Sequence, residues 1–263
     1  MQANAWEHGI MPGEPKRALV REPGNSYSRC ISCHPLKASI DLGKARLQHA
    51  EYRKVLRDLG LEVITVPRDD TNADSCFVED NAVVRGKRAL MCRMARKSRR
   101  NEVEAVADVL GQYLKIVHAK PPATVEGGDV IHFEDRLISG VSQRTNPAGV
   151  SQMSEWLEVK VDSIRDLGMV HLKSYATYLG RNTLIVSSRF AKHDLFRQLT
   201  LIELPDKEAY AADTLAIGDT VLMASGRPVA QSLVKQAGFK VVPLDVSEIE
   251  KCEGALTCLS ILF

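Results

Sequence analysis

The sequence predicts an α/β fold of repeated units, each made of two strands, a helix and a third strand, closed into a ring around a central channel. Three observations carry that expectation. The acidic segments Glu79-Asp80 and Glu126-Gly127 stand 47 residues apart, and Ser98-Arg99 is echoed by Ser142-Gln143-Arg144 at nearly the same offset. The same order of elements returns once more over residues 214–242. Hydrophobic residues at 44% and charged residues at 26% are ordinary globular values, so the 263-residue chain is expected to bury a core as a single domain. The competing architecture is a two-layer α+β sandwich in which the similarity between units is coincidental.

Residues 41–59 place Tyr52, Val55, Leu56 and Leu59 at helical spacing, and Gly60 supplies a C-terminal stop. Residues 61–66 read as a strand closed by Pro67, followed by a polar loop over 68–74. Strands at 82–84 and 89–92 share the turn 85–88, and Val103, Val106, Val109 and Leu110 mark a helix before a strand at 114–117. The next unit runs through strands at 130–133 and 137–139 to a helix opening at Asn146 with Pro147 as its first residue. Strands at 214–217 and 220–224, a helix at 229–237 and a strand at 239–242 form another copy, and residues 171–204 are read as one more.

Lys plus Arg exceed Asp plus Glu by only two, which argues against nucleic acid and anionic membranes as partners and for a small molecule. The longest apolar runs, around 184–186 and 255–263, are strand-sized, so no membrane span is expected. Glu7 and His8 interrupt the first residues where a secretory leader would be apolar, and the expected compartment is a reducing cytoplasm with all six cysteines as thiols. The basic run Arg93, Arg96, Lys97, Arg99 and Arg100 lacks interleaved aromatics and reads as a solvated helix entry, from which one arginine could still hold a substrate carboxylate. Cys30-Ile31-Ser32-Cys33-His34 matches a haem-attachment pattern, but a strand-rich chain without an export signal argues for a loop that contains two thiols.

Carboxylates concentrate at Asp69, Asp70, Asp74, Glu79 and Asp80, and the apolar neighbours Phe77, Val78, Ala82 and Val83 imply that the last pair is partly buried. A guanidinium suits such a pair, because its planar fork of donors matches carboxylate oxygens. A turn cap, or an internal pair with an arginine of the chain, suits it equally. Glu126-Gly127-Gly128-Asp129 would let backbone approach a site closely while one carboxylate points in, although a tight turn explains it as well. Cys258 and His171 could each be core filler. Together with Glu126 they form a chemically sufficient set of nucleophile, proton carrier and orienting carboxylate if the fold joins them.

Residues 74–84 (DSCFVEDNAVV), 98–100 (SRR), 126–131 (EGGDVI), 142–149 (SQRTNPAG), 171–174 (HLKS) and 255–260 (ALTCLS) closely resemble the dimethylarginine dimethylaminohydrolase family in order and spacing. The resemblance implies a five-bladed α/β-propeller (pentein) of ββαβ units, which five repeats of about 53 residues would fill. It implies Cys258 as nucleophile, His171 as general acid and base, and Glu126 as its orienting carboxylate. Asp74 and Asp80 would bind the guanidinium and Arg99 and Arg144 the substrate α-carboxylate, with Glu79, Cys252 and Glu253 completing the pocket. Residues 23–34 fall where the family has a mobile lid. The implied reaction converts methylated arginines to citrulline and a methylamine without cofactor or metal, and a homodimer is the candidate assembly. Glu126 and Glu253 stand where mammalian-type members carry Asp.

Competing expectations are an arginine deiminase or dihydrolase acting on free arginine, and a non-catalytic ribosome-binding factor of the same ring fold, which would need neither Cys258 nor His171. A third is zinc held by Cys258, His171 and a carboxylate.

Overall fold

The computed structural model describes residues 15–263; Glu7 and His8 lie outside them. Its strands form five three-stranded sheets, each with a middle strand antiparallel to one neighbour and parallel to the other. The first sheet joins the two ends of the chain. β1 (Arg17–Val20) is its middle strand, parallel to β2 (Glu62–Thr65), which follows α1 (Leu42–Asp58), and antiparallel to the last strand of the chain, at Ser260–Leu262.

The other four sheets are consecutive in sequence. β3 (Ala82–Arg85), β4 (Arg88–Met91) and β5 (Lys115–His118) form the second, with α2 (Val103–Leu110) as crossover. The third contains β6 (Val130–His132), β7 (Arg136–Val141) and β8 (Lys160–Arg165), crossed by α3 (Pro147–Leu157). β9 (Ala176–Gly180), β10 (Thr183–Ser187) and β11 (Thr200–Leu204) form the fourth, where a 3₁₀ turn at Asp194–Phe196 replaces the expected helix. The fifth has β12 (Leu215–Ile217), β13 (Thr220–Ala224) and β14 (Lys240–Leu244), crossed by α4 (Pro228–Gln236). α5 (Ser247–Glu250) then leads toward β15 (Ser260–Leu262). The parallel third strands need a crossover, and in four of the five sheets a helix supplies it.

Local chemistry explains the elements. Asp41 caps α1 by accepting from the Lys44 backbone N–H, and Asn146 caps α3 by accepting from that of Gly149, with Pro147 at the first helical position. α1 buries Ala45, Gln48, His49, Tyr52 and Leu56, a stripe at helical spacing that packs on the first sheet and on α5. Middle strands such as β10 are buried along their whole length, whereas the third strands β2 and β5 are half-exposed. The first strands contact one another across sheets, β6 with β9, β9 with β12, and β15 with β3.

A 3₁₀ turn precedes every one of these first strands: Val78–Asn81, Gly127–Asp129, Leu172–Ser174, Asp206–Ala212 and Thr257–Leu259. Successive turns touch, so the residues on them are gathered around one axis.

Cys30 and Cys252 form a disulfide, their Cα atoms 5.9 Å apart and their positions 222 residues apart in sequence, which corrects the expectation of six thiols. Spacing alone could not show this pairing, because the fold brings the two positions together. Cys33, Cys76, Cys92 and Cys258 are free. Among the described residues no helix is long and apolar enough to cross a membrane.

Candidate active site

Each turn delivers its side chains to the axis because the strand that follows is held along one edge by the middle strand of its sheet. Gly127 and Gly128 make the closest approach possible. A Cβ on Gly127 would fall 2.0 Å from the Glu79 carbonyl oxygen, and one on Gly128 would meet the His171 ring at 2.8 Å and Asp80 Oδ1 at 2.9 Å. The glycine pair is thus the floor on which His171 lies, not an ordinary tight turn.

Glu126 is fully buried. Its Oε1 accepts from the Ala95 backbone N–H at 3.0 Å and its Oε2 lies 2.9 Å from His171 Nε2. Asp80 Oδ1 is a further 3.5 Å contact of the same ring nitrogen. Burial alone would lower the His171 value, but Asp80, Glu126 and Asp129 outweigh it and raise it to about 9. The ring is therefore an imidazolium near neutrality, with Nε2–H given to Glu126 and Nδ1–H left to donate.

Asp80 Oδ1 accepts from the Gly128 N–H at 3.1 Å, and its Oδ2 accepts from Arg99 Nη1 at 2.8 Å. Burial would raise Asp80, yet His171 and Arg99 hold it below the usual carboxylate range. Asp74 is buried and raised, burial winning over the nearby Arg99 guanidinium, and it accepts from the Ile31 N–H at 3.1 Å. Glu79 is likewise raised by burial, against the pull of Lys173 Nζ at 2.6 Å. Cys258 is half-buried on its turn, not inside a strand, and burial together with Asp213, Glu79 and Asp80 pushes its thiol well up.

Arg99 is buried, with Nε and Nη2 bonded to Glu102 and Nη1 to Asp80, so the basic run is only partly solvated. A cleft of about 240 Å³ opens beside it, lined by Arg29, Ile31, Asp74, Ser98, Arg99 and Glu102 among others. Arg144 Nε is 3.9 Å from Glu126 Oε2 and buried without a hydrogen-bond partner among the described residues. Such a buried cation suits an incoming carboxylate.

Two sequence-predicted pocket residues have other work. Cys252 is buried in the disulfide with Cys30, and Glu253 Oε2 accepts from the Cys33 N–H at 2.7 Å. Both anchor the loop 24–34, which Tyr27 Oη to the Glu248 carbonyl and Ser32 Oγ to the Lys251 carbonyl also hold. The reason is again tertiary, since residues 252 and 253 meet the loop only after the ends of the chain share a sheet.

Sequence reasoning missed Asp213, Lys173, Thr257 and Glu102. Asp213 had a readable signal. It stands two residues before β12, as Asp80 stands before β3 and Cys258 before β15, so aligning the repeats at their first strands would have exposed it. The ligand atoms that fall within 4.8 Å of one another belong to Asp80, Glu126 and His171. That group excludes Cys258, so the zinc set expected from sequence does not assemble among the described residues. The three are already paired with one another and with Arg99.

A cysteine, a carboxylate-held histidine and several buried carboxyls on the axis of a five-sheet ring define a hydrolase acting on guanidino groups, whose planar cation such carboxylates match. The family model described as N,N dimethylarginine dimethylhydrolase, eukaryotic, matches residues 21–261. The dimethylarginine dimethylaminohydrolase of Pseudomonas aeruginosa is 30% identical over 253 residues, spanning 94% of this chain and 99% of that protein. A structure of the Pseudomonas aeruginosa enzyme with citrulline covers 95% of this chain and all of the other, at 29% identity and a TM-score of 0.92. The N-terminal domain of a cyanobacterial arginine dihydrolase, 18% identical over 94% of this chain and 97% of the other with a TM-score of 0.85, shares the fold. The chain belongs to the dimethylarginine dimethylaminohydrolase family, and its fold is the five-bladed α/β-propeller, or pentein.

Proposed function

We propose that this chain hydrolyses N-omega-methylated arginines to citrulline and the corresponding methylamine through a covalent intermediate on Cys258, within a single catalytic domain. The observation that carries this reading is His171, fixed 2.9 Å from Glu126 and 3.5 Å from Asp80 on the turns that also bear Cys258.

The buried carboxylates Asp74 and Asp80 receive the guanidinium, and the arriving positive charge offsets the burial and the carboxylate charge that hold the Cys258 thiol neutral. The Cys258 proton passes to solvent water as the thiolate adds to the guanidinium carbon, giving a tetrahedral adduct. His171 then donates a proton to the methylated nitrogen, the C–N bond breaks, and the amine departs, leaving a thiouronium on sulfur. The neutral imidazole removes a proton from water, whose oxygen adds to the same carbon. As that adduct collapses, its hydroxyl proton passes to sulfur, the C–S bond breaks and citrulline forms, with the thiol and the imidazolium restored. Arg144, and the edge of Arg99 that faces the cleft, would hold the substrate α-carboxylate.

Citrulline release is to be measured with asymmetric dimethylarginine, monomethylarginine and arginine in parallel, with Cys258→Ser as blank. Turnover of the methylated substrates is the expected result. Activity on arginine alone would overturn the substrate assignment, and inactivity on all three would overturn the reaction.

A further inference from the structure

Thr257 Oγ1 lies 2.8 Å from Glu79 Oε2 and 2.8 Å from Asp213 Oδ1. A hydroxyl carries one hydrogen, so it can donate to only one of two carboxylate oxygens, and a second short contact needs a proton on a carboxyl. Glu79 has Lys173 Nζ at 2.6 Å to compensate a negative charge. Among the described residues no cation forms an ion pair with Asp213: its contacts are the Thr257 hydroxyl, the Thr257 N–H at 3.3 Å and Cys258 Sγ, which lies 4.0 Å from Oδ2. It is also 5% exposed. The extra proton therefore belongs on Asp213, with its O–H donating to Thr257, the Thr257 hydroxyl donating to Glu79, and the Cys258 thiol donating to Oδ2.

We propose that Asp213 is a positioning residue held as a neutral carboxylic acid beside Cys258, and that loss of its proton opposes formation of the thiolate. A neutral acid serves both states of the nucleophile, accepting from the thiol through Oδ2 and donating to the thiolate once the proton shifts to that oxygen. An ionised Asp213 would place a like charge beside the sulfur. The titratable groups around it are Glu79, Lys173, Cys258, Tyr210 and Tyr52. Burial, then Glu79, raises Asp213 to about 7, against the Thr257 hydrogen bond and Lys173. The ionisation thus falls where it can govern reactivity.

The inference rests on Cys258 as the nucleophile, but its readout is alkylation of that thiol, not turnover. Alkylation of the whole protein at Cys258 by iodoacetamide, followed by mass spectrometry of the Cys258 peptide from pH 5.5 to 9, is compared with Asp213→Asn and Asp213→Ser, both permanently neutral. The expected ratio of variant to wild-type rate is near one below pH 6 and rises about tenfold through pH 7 to 8, for a coupling of one unit. A ratio of one at every pH would remove Asp213 from the control of Cys258. A constant elevated ratio would mean that Asp213 is ionised throughout, which also overturns the proposal. Should one variant fail to fold by circular dichroism, the other carries the comparison; for the wild type, difference infrared spectra must show a protonated-carboxyl band near neutral pH that is absent from the folded variant. The expected pH-dependent ratio without turnover of any methylarginine would leave this inference standing and overturn only the proposed reaction.

Discussion

His171 keeps its proton because three carboxyls surround it, and that pairing is also a stability term. Its folded value of about 9 lies above the ordinary 6.5, so the contribution is fully present below about pH 6.5 and is lost as pH rises through 9. Denaturant unfolding at pH 6.5 and 9.5 is expected to show a loss on the order of 1–3 kcal/mol in the wild type and a flatter dependence in Glu126→Gln. Equal slopes in the two proteins would mean that Glu126 does not hold the proton. The neighbouring glycine gives a sharper test. Gly128→Ala puts a methyl group 2.8 Å from the His171 ring, backed by Asp80, so the ring must move. Displacing a proton carrier by about 1 Å costs on the order of 100-fold in turnover, and this is the expected loss with folding retained by circular dichroism. Cys258, His171 and Glu126 were legible from sequence because their chemistry is complete as a set. Asp213 was missed because a lone acid carries no chemical signature of its own; its signal was positional, two residues before β12 as Asp80 is before β3, and emerges only when the repeats are aligned at their first strands.

At the scale of elements, the loop 24–34 is held by side chains from the other end of the chain. The Cys30–Cys252 disulfide, the Cys33 N–H to Glu253 bond and the Ile31 N–H to Asp74 bond all cross from the loop to the site or to the segment leading into Cys258. Strand and helix positions were readable from periodicity, since β-branched runs and capped helices are local facts. This loop was not, because Cys252 and Glu253, which anchor it, lie more than 200 residues away in sequence and Cys-x-x-Cys-His reads locally as a different motif altogether. Cys30→Ser is expected to lower unfolding free energy by about 2–4 kcal/mol, the usual range for a native disulfide, and to raise KM more than it lowers kcat, because Asp74 loses a fixed donor. Wild-type protein treated with dithiothreitol should match the variant in both respects. A variant with unchanged stability and KM would show that the remaining hydrogen bonds suffice to hold the loop.

Across the whole molecule, the repeat made most of the architecture legible, because each unit must bury one face against the next. The copy over 82–117 and the start of the next, from 130 to the helix opening at Asn146, were found from their shared order of elements, and the one over 171–204 despite its missing helix, whereas the strand at Lys160–Arg165 was not read. The first sheet escaped periodicity, since its strands come from residues 17–20, 62–65 and 260–262 and no local window contains them. That sheet has a consequence for stability. β15 pairs with β1 along Ala18 to Val20, and Ile261 packs with Leu19, Val78 and Ala82 beneath the turn that carries Glu79 and Asp80. Removing residues 260–263 would strip one edge of β1 and release the turn bearing Thr257 and Cys258. Units that share a closed interface lose stability together, so the truncated chain is expected to melt in one transition at a lower temperature, with Cys258 alkylated faster once its turn is free. Calorimetry that instead showed the remaining sheets melting at the wild-type temperature would mean that the units stand independently and that the ring does not depend on its closing strand.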